Sequence, residues 1–309
     1  MDLNRFGQIL AQYNSSSREP VELDQLFQHP NNDFDLALMQ RSRFSTEMQG
    51  QVQSLLENTR FLQWISCEES DTILVDANIP SSDLGLSAIS VFSATLVAGL
   101  VKVHENDVVA HFFCSNHTNP RETWYGPGGM IRSIIVQVLM RLVEMRILDL
   151  DFIDNEDFVR ALNKHDLPSL CEVLYSLVSQ FPPTITVYCI LDSISAFDNT
   201  SAFKNLKIAL DWIQSMCEDR SLNPIFKVLM TNPTSSTGRM KQLLKLREYP
   251  SRLVNLSMSS FIPMELSNLS VESQLLRPST PTPSMGSRAV SRNRTRSRSV
   301  NRRGYEDEY

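Results

Sequence analysis

The residue best placed to do chemistry is Asp192. It closes Ile185-Thr186-Val187-Tyr188-Cys189-Ile190-Leu191-Asp192, a mostly apolar run that ends in a carboxylate. In nucleoside-triphosphatases an acid in that position holds Mg²⁺ directly or through water. The plainer reading is a buried strand that finishes at a helix cap. A second constellation, His111-x-x-Cys114-x-x-His117, has the spacing of metal ligands. On a strand, however, His111 and Cys114 point to opposite faces, no second Cys/His pair lies nearby, and a structural zinc site needs four ligands. Ordinary core and strand-end residues are therefore expected there, and no metal. Gly85-Leu86-Ser87 before a helix lacks the last glycine of a nucleophile elbow, and the preceding strand stops about ten residues earlier. A serine hydrolase does not follow from it.

The C-terminal segment carries a different chemistry. Arg288, Arg292, Arg294 and Arg296 each stand three residues before a hydroxyl, at Ser291, Thr295, Ser297 and Ser299, and Thr280 and Thr282 each precede proline. These are acceptor patterns for basic-directed and proline-directed kinases. Each phosphate adds about −1.5 to −2 of charge, so about four would offset the eight arginines of residues 277–309. One reading is a solvated, sticky terminus. The other is a phosphorylation-switched tail that contacts an acidic surface or a nucleic-acid backbone until it is modified.

The elements that must position these residues follow from composition and period. The chain has 309 residues, 42% apolar, 8% aromatic and 21% charged, with a net charge of −6. That excludes collagen-like, rod-like and wholly disordered chains. The charge is unevenly spread: residues 1–276 carry 21 Lys+Arg against 32 Asp+Glu, and residues 277–309 carry 8 Arg against 3 acids. Only seven residues are lysine, and the first is Lys102. The five cysteines are odd in number and scattered, which predicts free thiols in a reducing compartment, cytoplasmic or nuclear. The N-terminus lacks a basic segment followed by an apolar one, so no secretory signal is expected. The longest uncharged run, Leu84–Val101, spans 18 residues but includes Ser87, Ser90, Ser93 and Thr95. It reads as a buried helix, and no membrane association is expected.

Helical patterns cover 1–13, 20–28 and about 33–64. Apolar runs at 72–75, 108–114, 185–192 and 225–231, with a weaker one at 252–258, alternate with helical stretches at 87–103, 130–146, 155–163, 168–180, 203–217 and 239–247. Continuous apolar strands that alternate with helices imply a parallel sheet covered on both faces. The expected fold class is α/β, a three-layer α/β/α sandwich with a mostly parallel sheet. The expected domains are a helical N-terminal extension (1–59), the α/β domain (60–262) and a disordered Ser/Arg/Pro-rich tail (263–309), which has too little to bury to offset its ordering entropy.

Several stretches in this order resemble a known family. Arg60-Phe61-Leu62-Gln63-Trp64-Ile65 leads to the strand at Ile73, and Phe112-Phe113-Cys114 sits in the second strand. Ile131-Arg132-Ser133-Ile134-Ile135-Val136-Gln137-Val138-Leu139 forms the next helix. Cys189-Ile190-Leu191-Asp192-Ser193-Ile194-Ser195 and Phe226-Lys227-Val228-Leu229-Met230-Thr231-Asn232-Pro233 hold the third and fourth strands. Together they resemble a fungal NACHT-like, STAND-class P-loop domain over about 60–235. The resemblance implies a phosphate loop after the first strand, an Mg²⁺-associated acid at Asp192 and a sensor at Thr231 and Asn232.

The departures from that family are informative. Its phosphate loop needs glycines, a lysine for the β/γ oxygens and a Ser/Thr for Mg²⁺. The matching stretch, which contains Asp76, Asn78, Ser81, Ser82 and Gly85, has one glycine, no lysine, a proline and two carboxylates. Putting a repulsive charge where an attractive one belongs, about 4 Å from a phosphate, shifts the interaction by several kcal/mol even at an effective dielectric near 20. Ser193, Ser195 and Ala196 follow Asp192 where the family has further acids, and Pro233 stands where its sensor has arginine. No bound ATP or Mg²⁺ is therefore expected. The favoured expectation is a non-catalytic interaction or regulatory scaffold, a pseudo-ATPase with protein partners that the sequence does not name. The alternatives are an active ATPase or GTPase that uses Arg132 or Lys227 as its cation, and an RNA-associated or nuclear adaptor that acts through the Arg/Ser tail.

Overall fold

The structure is a computed structural model and describes residues 1–11, 23–79, 86–257 and 262–277. In chain order the helices and strands are α1 (Leu3–Ala11), α2 (Leu23–Met39), α3 (Thr46–Gln53), α4 (Thr59–Ser66), β1 (Asp71–Asp76), α5 (Ala88–Val103), β2 (Val108–Phe113) and α6 (Gly126–Met145). They continue with α7 (Glu156–Asn163), α8 (Leu167–Val178), β3 (Thr186–Asp192), α9 (Phe203–Glu218), β4 (Ile225–Asn232), α10 (Gly238–Leu243), β5 (Leu253–Asn255) and α11 (Asn268–Leu275). The strands form one sheet in the order β2-β3-β4-β1-β5, and every pairing is parallel. The expected three-layer α/β/α sandwich is what forms.

Side-chain alternation along the strands builds two cores. Leu74, Val187, Cys189, Leu191, Phe226, Val228 and Met230 face one layer, where they meet α1, α6, α8 and α9. Ile73, Val75, Tyr188, Ile190 and Leu229 face the other, against α4, α5 and α11. Both faces are dry, which is why the strands read as unbroken apolar runs.

Helix α5 lies inside the second layer. Nearly all of its residues are buried because the sheet covers one side while α2, α3 and α11 cover the other. A Cβ placed at Gly99 would meet the Leu275 and Val271 side chains of α11 at 3.0 Å, so this glycine sets how closely the two helices approach. The long uncharged run is thus a doubly covered core helix. Among the described residues no helix is long and apolar enough to cross a membrane.

Several element boundaries differ from expectation. The single helical pattern over 33–64 is broken twice. Ser45 accepts from the Met48 N–H to cap α3, and Asn58 accepts from the Arg60 and Phe61 N–H groups to cap α4. Each cap gives the backbone a partner outside the preceding helix, and so ends it. The last strand shrinks to Leu253–Asn255 and α10 to Gly238–Leu243. The N-terminal helices pack on the sheet's own layers, and residues 1–278 form one compact unit.

The stretch from 263, expected to be disordered tail, contributes α11. It buries Leu266, Val271 and Leu275 and is held by Gln49 Oε1, which accepts from the Leu266 N–H at 3.0 Å, and Gln53 Oε1, which accepts from the Ser267 N–H at 3.1 Å. The sequence hid this helix because α11 itself has only two buried apolar positions, one turn apart.

At the outer edge of β2 the His111 backbone is paired by a side chain. Gln137 of α6 accepts from the His111 N–H at 3.0 Å and donates to its carbonyl at 2.8 Å. The five cysteines are free, with Cys114, Cys171 and Cys189 buried, and burial pushes the Cys171 and Cys189 thiols up to about 12.

Candidate functional site at the strand ends

In a parallel sheet the carboxyl ends of the strands point to the same rim, where ligands bind in this class of fold. The strand order sets β4 between β1 and β3, so Asp76, Thr231, Asn232 and Asp192 end side by side. Helix α5 begins above the same rim. Its Ser87, Ser90 and Ser93 recur at i, i+3 spacing and are fully buried.

Asp192 is buried and its carboxylate is committed. Oδ1 accepts from Thr231 Oγ1 at 2.6 Å and from Ser93 Oγ at 3.1 Å, and Oδ2 accepts from Ser193 Oγ at 2.9 Å. Ser193 sits at φ 56° and its N–H donates to Thr231 Oγ1 at 3.1 Å. A left-handed conformation costs a non-glycine residue about 1–2 kcal/mol. It turns the chain so that both the hydroxyl and the N–H of Ser193 serve the Asp192–Thr231 pair. Burial pushes the Asp192 carboxyl above its ordinary value, against the pull of the hydroxyls of Thr231, Ser90, Ser193 and Ser93.

Asp76 forms a second closed network. Its Oδ1 accepts from Ser236 Oγ at 2.6 Å and from Asn232 Nδ2 at 3.2 Å, and its Oδ2 accepts from the Ser236 N–H at 2.8 Å. Asn232 Oδ1 in turn accepts from the Ser195 N–H at 2.9 Å. The chain beyond β1 stays paired as well. The Ala77 N–H donates to Asn232 O at 2.9 Å and the Ile79 N–H to Pro233 O at 2.7 Å. Asn78, at φ 53°, donates from Nδ2 to Leu256 O at 3.0 Å and accepts from Ser235 Oγ at 2.5 Å. A phosphate loop would need backbone N–H groups such as those of Ala77 and Ile79 free to wrap an anion. Here they extend the β1–β4 ladder.

The start of α5 is closed in the same manner. Ser87 and Ser90 form a reciprocal capping box, in which each side chain accepts from the other's backbone N–H. These bonds occupy donors that would otherwise serve an anion at the helix N-terminus. The residues described at this rim therefore do not fit a Mg²⁺-triphosphate. The two acids are sealed and the first N–H groups after β1 are spent.

The basic side chains that could stand in for the missing lysine are committed to other partners. Lys227 is in register with Asp71, at the opposite end of β1 from Asp76, and its Nζ donates to the carbonyls of Ile65 at 2.7 Å and Cys67 at 2.5 Å. Arg132 donates to the carbonyls of Leu10 and Thr123. Arg239 pairs with Asp198, which also accepts from Thr237 Oγ1 at 2.6 Å. Asp198 thus ties the turn that follows β3 to the start of α10.

The structure brings together Asp76, Asn78, Asp192, Thr231 and Asn232. Ser81, Ser82 and Gly85, and the acceptor residues Thr280, Thr282, Ser291, Thr295, Ser297 and Ser299, lie outside the described residues. Sequence reasoning missed Ser90, Ser93, Ser193 and Ser236 as parts of this site. Only the i, i+3 spacing of the α5 serines on an otherwise apolar helix signalled a polar face turned toward one partner. In the spaced His/Cys/His run the two histidines take different partners: His111 Nε2 meets Pro30 O at 3.1 Å, while His117 turns to Asp33.

A family model described as nephrocystin 3, N-terminal, matches residues 50–232, more than half of the chain. The chain belongs to this family. The nephrocystin 3 N-terminal match opens within α3 and closes on Asn232, so it takes in both sealed acids and the strands that carry them, and leaves α1, α2 and α11 outside. No curated protein and no solved structure matches the chain.

The Asp192 network carries a test. The acid accepts only from hydroxyls, which can rotate and accept in turn. Asp192→Asn should therefore keep the site filled and remove the cost of a buried charge. A carboxyl whose folded value is raised contributes stability that is present below its unfolded value, about 3.9, and is lost as pH rises through the folded value. The Asn variant is expected to match or exceed the parent in urea unfolding at pH 7.5, with that advantage disappearing at pH 4. A variant several kcal/mol less stable at pH 7.5 would show that the charge itself is needed.

Proposed function

We propose that this chain is a NACHT-like P-loop-type domain, of the fungal STAND kind it resembles, whose strand-end rim has become structural and which serves as an interaction or regulatory scaffold. The observation that supports this most directly is the continued pairing of Ala77 and Ile79 with Asn232 and Pro233, together with the Ser236 clamp on Asp76. In phosphoryl transfer nearly all that a protein supplies is position and charge neutralisation. At this rim the acids point into closed networks and no lysine precedes Lys102. The basic segment 277–309 gives such a scaffold a contact surface whose charge phosphorylation would cancel, a role suited to an intracellular protein.

Titration of the full chain with labelled ATP and Mg²⁺ tests the proposal. No saturable binding is expected below about 1 mM, a level worth only about 4 kcal/mol. Micromolar binding that Asp192→Ala abolishes would overturn it, and so would turnover above that variant's background.

A further inference from the structure

A cluster of two imidazoles and a carboxylate joins α2 to the end of β2, away from the sealed rim. His29 and Asp33 are one helical turn apart on α2 and share a face. His117 closes the 3-10 turn Cys114–His117 that follows β2. His117 Nε2 stands 2.6 Å and His29 Nε2 3.8 Å from Asp33 Oδ2, and one ligand atom from each of the three residues lies within 4.8 Å of the others. Ligand atoms around a zinc ion, each about 2.0–2.1 Å from the metal, stand somewhat over 3 Å apart, so small side-chain shifts would close the set.

The hydrogen bonding here is incomplete in an informative way. Among the described residues His29 has no hydrogen-bond partner at either ring nitrogen: Nδ1 is buried and unpaired, and Nε2 is too far from Asp33. His117 is only 5% exposed, and its Nδ1 is also buried without a hydrogen-bond partner. With Nε2–H donating to Asp33, that Nδ1 is an acceptor facing Glu122 Oε2 at 3.7 Å, another acceptor. If Nε2 bound a metal, the proton would sit on Nδ1 and point at Glu122. That is the carboxylate–histidine–metal relay that orients ligating imidazoles. Asn116 Nδ2 already donates to Asp33 Oδ1 at 3.0 Å, as a support for a ligating carboxylate would. The rings of Trp124, 4.6 Å from His29, and Phe112, 4.7 Å from His117, wall the cluster. The Arg132 guanidinium over Trp124 opposes a cation here, while Asp33 and Glu122 favour one.

We propose that His29, Asp33 and His117 bind Zn²⁺ as a three-ligand site, with the fourth position open to water and Glu122 as the outer partner of His117. Two imidazoles and one carboxylate suit zinc better than Mg²⁺ or Ca²⁺, which prefer oxygen alone. The ion would latch α2 onto the end of the edge strand. Loading shifts one proton from His117 Nε2 to Nδ1 and needs no other reactant.

The full chain, stripped with a chelator, is titrated with Co²⁺ and then Zn²⁺. The expected result is visible d–d absorption that saturates at about one equivalent and is displaced by Zn²⁺. His29→Ala should weaken Co²⁺ binding about 100-fold or more, and Glu122→Gln about 10- to 100-fold with the band shape kept. His104→Ala, at a half-buried histidine that is not a ligand, should leave binding unchanged. If His117→Ala does not fold, as circular dichroism would show, His29→Ala still carries the test, since it removes no hydrogen bond. Absence of the band, an unchanged affinity in His29→Ala, or a thiolate charge-transfer band in place of the d–d absorption would overturn the proposal.

Discussion

Asp76→Ala is expected to destabilise the fold by about 2–6 kcal/mol, because it strands two buried donors at a cost of about 1–3 kcal/mol each. Those donors are the Ser236 N–H and Ser236 Oγ, whereas Asn232 Nδ2 keeps its bond to Ser236 Oγ at 2.8 Å. Domains of this kind are typically stable by only about 5–15 kcal/mol, so the variant should approach the unfolding threshold. Asp76→Asn should fall between the two, for a reason that separates this acid from Asp192. Two of the donors to Asp76 are N–H groups, one on each carboxylate oxygen, so the NH₂ of an amide there faces an N–H whichever way it is turned. The expected order in urea midpoints at neutral pH is parent, then Asn, then Ala. Equal midpoints for parent and Ala would mean that Asp76 is not the clamp that holds the end of β1.

The second large effect concerns where the folded unit ends. A chain cut after residue 262 loses Leu266, Val271 and Leu275, each at most 6% exposed, and bares the α5 surface around Gly99. At about 1.5–3 kcal/mol per buried aliphatic side chain, the three together are worth about 4.5–9 kcal/mol, an upper bound because the unfolded chain buries part of that area too. A chain ending at residue 277 retains α11 and should unfold within about 0.5 kcal/mol of the full chain. Coincident urea curves for the two shortened chains would contradict the packing of α11 on α5.

What the sequence disclosed and what it withheld divide along one line. Residues whose neighbours are close in the chain could be read. The apolar runs of β1, β3 and β4 became buried strands within a residue or so, and Asp192 sits at the strand end its run implied. Partnerships across the chain could not be read. Nothing local indicates that Ser236 clamps Asp76 across 160 positions, or that His117 meets Asp33 across 84. The Ser45 and Asn58 caps were visible as residue types but were outweighed by the helix formers around them. Helix α11 failed for the opposite reason, since its stability comes from Gly99, Gln49 and Gln53 and hardly from its own pattern.

The amide of Gln137 has one further meaning. By taking both the N–H and the carbonyl of His111, it behaves as a one-residue counterfeit strand beside β2. The opposite border of the sheet, β5, is only three residues long. Exposed borders are where proteins add foreign strands, whether by recruitment or by aggregation. With one border blocked at His111 and the other cut short, a foreign strand would find little continuous backbone to zip onto.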